Sequence, residues 1–107
     1  MNDTGGRELV EILDDLIALL YGVGEKHWSA WLRTDGDLIR NRKFRGVERL
    51  LSAYGGMGSL NDLIICPENG HKVDPVDVDA TNRRFQALKG EAYRVARALQ
   101  REIDASR

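Results

Sequence analysis

A chain of 107 residues has room for one hydrophobic core and not for two, so a single domain spanning 1–107 is expected. Its apolar fraction of 42% beside 31% charged residues is that of a water-exposed globular protein. The longest apolar run, Leu16 to Tyr21, is far short of the roughly 20 residues that cross a bilayer, and the lone Cys66 excludes an internal disulfide and a cysteine-based metal cluster.

The net charge of −1 hides an alternation along the chain. Residues 1–25 and 51–79 carry −5 and −4, whereas 26–50 and 80–107 carry +4 each. Blocks of alternating sign can neutralise one another across a compact bundle, and a nucleic-acid binder would more usually show a net basic excess. No basic and apolar leader opens the chain, which makes the cytoplasm the default location.

The first predicted helix runs from Arg7 to about Tyr21, where Leu9, Ile12, Leu13, Leu16, Ile17 and Leu20 recur at helical spacing. Thr4 fits its N-cap, the early carboxylates suit the positive end of the helix dipole, and Gly22 and Gly24 end it. From Glu25 the chain reads as helical again, with Trp28, Trp31 and Leu32 on one face. Gly36 and its flanking aspartates weaken the middle, so the pattern predicts a broken helix or two helices, near 25–40 and from about Arg42 to Tyr54. In the later part Phe44, Val47, Leu50 and Leu51 form the apolar set, and Arg45 and Arg49 lie outside it.

After Ser59, Ile64 and Ile65 slightly favour an extended strand, and Asn69-Gly70 is a strong turn signal because both residues tolerate positive φ. A small extended hairpin is therefore expected before the last helix, with Asp77 or Asp79 as its N-cap. That helix, about Ala80 to Ala105, has a seam of Phe85, Leu88, Ala92, Val95, Leu99 and Ile103. Arg94, Arg97 and Arg101 form a basic stripe opposite the seam.

Between the two middle segments stands "YGGMGSLND", Tyr54 to Asp62. Gly55 fits the residue after a helix end, and Ser59 with Asp62 resembles a capping box, so the stretch reads first as helix-stop, helix-start punctuation. Met57 reads as a plug in the core, since methionine fills irregular gaps. The sharper reading makes the amides of Gly55 to Ser59 a concave anion site, although neither the P-loop nor the dinucleotide-binding spacing is matched.

"LLSAYGGMGSLNDLII", with "HWSAWL" upstream and "NGH" and "NRRF" downstream, resembles a group of small bacterial proteins of unknown function that carry a GGMGS-x-ND motif. The likeness runs from about Trp28 to Leu99 and implies a compact, mainly helical fold. It implies no activity. If the motif defines the group, Gly55, Gly56, Met57, Gly58, Ser59, Asn61 and Asp62 are the positions on which a shared function would rest.

Catalysis has little to stand on. His27 and His71 lack the local partners of a zinc site or a dyad, and grouping Ser59, His71 and Asp62 as a triad rests on composition alone. No metal and no cofactor is expected. "RNRKFRGVER" is dense enough for phosphate contacts, but the net charge and the place of Phe44 on an apolar face make nucleic acid a minority reading. Trp28 and Trp31 suit either a core anchor or an interface.

The expected fold is mainly α, about four helices in a bundle with a glycine turn and a small hairpin before the long C-terminal helix. The expected function is that of a non-catalytic protein-interaction module that binds a partner through charged helix faces, one concrete form being an immunity-type protein that blocks a toxin. The runner-up is a small-molecule or anion-binding domain centred on the glycine turn. A homodimer through Trp28 and Trp31 or through the last helix, with Arg94, Arg97 and Arg101, is compatible with either.

Overall fold

The computed structural model describes residues 3–106. Four helices carry the fold: α1 (Asp3–Gly22), α2 (Lys26–Arg40), α3 (Arg45–Ser52) and α4 (Val78–Ala105). No strand occurs among the described residues. At 1.5 Å per residue the 28-residue α4 is about 42 Å long, close to the molecule's 47 Å long axis. α1 packs along both α2 and α4, and α3 connects α2 to α4.

The apolar periodicity of the sequence becomes the core. Leu9, Leu13, Leu16 and Leu20 of α1 are fully enclosed and meet Leu32 of α2, Val47 and Leu50 of α3, and Phe85, Ala92 and Ala96 of α4. Full burial of a leucine or phenylalanine side chain contributes roughly 1.5–3 kcal/mol, so these seams dominate the stability of the bundle.

Helix ends depart from the expected caps in detail. α1 begins at Asp3, which places Thr4 inside the helix rather than at its cap. Its end is set by Gly24, whose φ of +80° is the left-handed turn that glycine adopts without a Cβ penalty. Glu25 caps α2 by accepting from the Trp28 amide. α2 runs unbroken through Gly36, which is buried, so the predicted weak point does not interrupt it. α3 then approaches α2 so closely at Gly46 that a Cβ there would stand 2.8 Å from Cβ of Leu38. Only glycine permits that contact.

The predicted hairpin does not form. Residues 63–77 make an extended connection broken by short 3-10 turns at Pro67–Asn69 and Pro75–Asp77. Asn69-Gly70 does turn the chain, with Gly70 at φ +84°, but the turn closes on itself through the Gly70 and His71 amides. The backbone of Ile65 is satisfied by a side chain instead of a strand: its N–H donates to Asn82 Oδ1 at 2.9 Å and its carbonyl accepts from Asn82 Nδ2 at 2.7 Å. Asp77 stands at the N-cap of α4 without a side-chain bond, and Asp74 instead caps the preceding turn.

Candidate binding site

The glycine stretch is a closed loop whose shape is fixed by its own motif. α3 ends at Ser52 with Ala53 as its cap, so Gly55 is not the terminating glycine; the left-handed residues are Gly56 and Gly58, at φ +83° and +73°. The Leu60 amide donates to the Ala53 carbonyl at 2.8 Å and closes the loop at its base. Asn61 Nδ2 donates to the Tyr54 carbonyl at 2.5 Å, and Asp62 Oδ2 accepts from the Gly58 amide at 2.7 Å. Ser59 Oγ accepts from the Asn61 amide. The capping-box reading is thus half met: Ser59 caps a 3-10 turn, Leu60–Asp62, while Asp62 reaches back to Gly58 rather than to Ser59.

Met57 overturns its sequence reading. Its side chain is 100% exposed at the loop tip, not a plug in the core. With left-handed glycines on both sides, the chain turns outward there and lifts the thioether away from every apolar neighbour.

Beside the loop lies a shallow groove of about 400 Å³, lined by Leu51, Tyr54, Gly55, Asn61, Lys89, Gly90 and Tyr93. One wall is the loop and the other is the middle of α4. The Tyr54 hydroxyl, buried, donates to the Lys89 carbonyl at 2.7 Å, and its ring meets that of Tyr93 edge-on at 5.0 Å. Burial raises the Tyr54 phenol above its ordinary range, so it remains a neutral donor. Lys89 is only 7% exposed. Its ammonium sits 5.2 Å from the centre of the Phe85 ring and forms no hydrogen bond or ion pair among the described residues. Desolvation lowers its pKa, against the opposing pull of the Asp62 charge.

Residues 22–74 match DUF6966, a domain of unknown function. No curated protein matches the chain, and no solved structure does. The DUF6966 span takes in α2, α3 and the whole loop and stops before α4, so one wall of the groove lies inside it and the Lys89 to Tyr93 wall outside.

The other residues singled out in the sequence lie apart from this groove. Trp28 and Trp31, inside the DUF6966 span, are half-buried against the core with ring centres 5.6 Å apart, and the Arg49 guanidinium stacks 4.1 Å over Trp31. Arg94, Arg97 and Arg101 are exposed on α4, Arg94 reaching 4.0 Å from Glu8. His71 is buried: its Nδ1 accepts from the Cys66 amide and its Nε2 lies 3.1 Å from Glu25 Oε1, which fastens the long connection to the start of α2. Ser59, Asp62 and His71 therefore hold three separate sets of partners.

Sequence reading missed Lys89 and Asp35. Lys89 stands four residues after Phe85, on the apolar stripe of α4, where a lysine is out of pattern. Asp35 likewise interrupts the stripe between Leu32 and Ile39. Its carboxylate has no exposure, accepts from Arg49 Nε at 2.8 Å through Oδ1, and leaves Oδ2 without a partner. Burial pushes Asp35 up to about 6, with Arg49 pulling the other way.

Proposed function

We propose that this chain is a non-catalytic protein-interaction module, cytoplasmic and of bacterial origin, that meets its partner through the Gly55 to Ser59 loop. Met57 carries the reading. A fully exposed methionine at the tip of a loop whose polar side chains all hold the loop's shape is a pre-arranged apolar contact. Methionine is an adaptable interface residue, and a loop ordered before binding loses little conformational entropy on association. The groove beside it is open and shallow, which suits a protein surface better than an enclosed small molecule. An immunity-type role, blocking a toxin, is one form of this reading; a toxin gene beside this one would support it, and its consistent absence would count against it.

The test is quantitative capture of partners from the native cell with wild-type and Met57→Ser protein. The variant should keep its melting temperature, because the side chain touches nothing, and should weaken a true partner roughly tenfold or more. Equal capture by both proteins would remove the loop from the interface.

A further inference from the structure

We infer that the groove between the glycine loop and α4 receives a carboxylate side chain of the protein partner, with Lys89 as its counter-charge. The inference rests on the interaction-module reading and names the chemistry of the contact beside Met57.

Three observations carry it. The first is charge. Among the seven lining residues Lys89 is the one cation and none is acidic, so the groove complements an anion. The second is a cation without a partner in the protein. Lys89 is buried along its stem, and its ammonium emerges beside the Phe85 ring into the groove. A lysine whose stem is buried ordinarily holds its head against a carboxylate or reaches open water, and this one has no carboxylate or other acceptor among the described residues and faces the groove instead. Asp62, the nearest acidic influence on it, has one oxygen held by the Gly58 amide, and the two form no ion pair.

The third observation is the pair of glycines that line the groove, one from the loop and one from α4. Gly90 sits in the interior of α4, where glycine is the poorest residue short of proline for a helix. A Cβ built on Gly90 meets nothing within 4 Å, and the same holds for Gly55. Neither has a φ in the left-handed region. No internal packing or backbone need therefore asks for glycine at these positions. What the missing side chains do provide is an unobstructed groove, with Tyr54 and Tyr93 as apolar walls and the Asn61 amide at the rim.

The experiment uses the full chain, labelled with nitrogen-15, titrated with N-acetyl-glutamic acid α-amide and with its neutral glutamine counterpart. The glutamate probe should shift the Gly55 and Gly90 amide resonances and saturate at millimolar concentration, and the glutamine probe should not. Lys89→Met should abolish the response while keeping the fold, since it keeps the apolar stem and removes a charge that makes no ion pair among the described residues. Gly90→Leu should fill the groove and abolish it too, and Gly90→Ala should raise the melting temperature by about 4 °C or more, because helix propensity is recovered and the Cβ is free. Equal shifts from both probes, or a wild-type response from Lys89→Met, would overturn the inference. So would inorganic phosphate that moves the same resonances at lower concentration than the glutamate probe, which would mark a phosphate site. The two readings fail separately. Loss of partner capture by Met57→Ser, with full capture and probe binding by Lys89→Met, leaves the loop and removes the groove. A groove that binds the probe in a protein whose partner ignores Met57→Ser does the reverse.

Discussion

Asp35 has a carboxylate with no solvent exposure, one oxygen on Arg49 and one without a partner. Desolvation outweighs the guanidinium, and the group titrates at about 6 when folded against 3.8 as the ordinary value. The folded protein therefore holds this proton more tightly than the unfolded chain does. The stability that comes from the bound proton is fully present below about pH 4 and is lost as pH rises to about 6, above which the loss is constant. At 1.36 kcal/mol per pH unit the swing is about 3 kcal/mol. Asp35→Asn cannot ionise, so its unfolding free energy from urea titration should gain on wild type by that amount between pH 4 and pH 7, all other carboxylates being common to both proteins. A difference between the two that stays constant with pH would show that Asp35 is not protonated in the folded state at pH 4 to 6.

The loop from Ala53 to Asp62 keeps its shape through three contacts: the backbone closure at Leu60, and the side chains of Asn61 and Asp62 on Tyr54 and Gly58. Removing Asn61 leaves the Tyr54 carbonyl short of a donor at a cost of about 1 kcal/mol. Asn61→Ala and Asp62→Ala should therefore speed amide exchange at Gly58 and Leu60 several-fold and move global melting by only a few degrees, whereas a fully cooperative loss of stability would mean the loop is part of the core. This element also marks the limit of what the sequence discloses. Ser59 and Asp62 read as local capping residues because such bonds span a few positions, and the structure places both in local bonds. Met57 reads as a core plug from its apolar type alone and is exposed instead, since burial is decided by what packs above a side chain, and nothing does. Ile64 and Ile65 favour a strand, but a strand needs a neighbouring strand, and the Asn82 side chain satisfies Ile65 in its stead. α1 and α4 were legible because their seams repeat over many turns. The groove was not, because Tyr54 and Lys89, its hydrogen-bonded pair, are 35 residues apart.

The four helices share one core, and its larger part lies outside the DUF6966 span. Leu9, Ile12, Leu13, Leu16, Ile17 and Leu20 come from α1, and Phe85, Leu88, Ala92, Val95, Ala96, Leu99 and Ile103 from α4, so more than half of the buried apolar side chains belong to these two helices. The span 22–74 contributes α2, the short α3 and a connection that has little regular structure of its own. Its fastenings also point outward, through Asn82 to Ile65 and through the Tyr54 hydroxyl to the Lys89 carbonyl, both to α4. A fragment of residues 22–74 would have fewer than 60 residues, a size at which burial is marginal even with a complete core. Expressed alone, it should show little helical circular dichroism at 222 nm and no cooperative melting, whereas the full chain should melt in one transition. Addition of α4 alone, as residues 22–107, should not restore full stability, because α1 packs along both α2 and α4 and its six buried apolar side chains would leave a trough between them. At roughly 1.5–3 kcal/mol for each such side chain, the missing helix is comparable to the 5–15 kcal/mol by which a domain is stable. Cooperative melting of the 22–74 fragment would show instead that the DUF6966 span folds by itself and that α1 and α4 are additions to it.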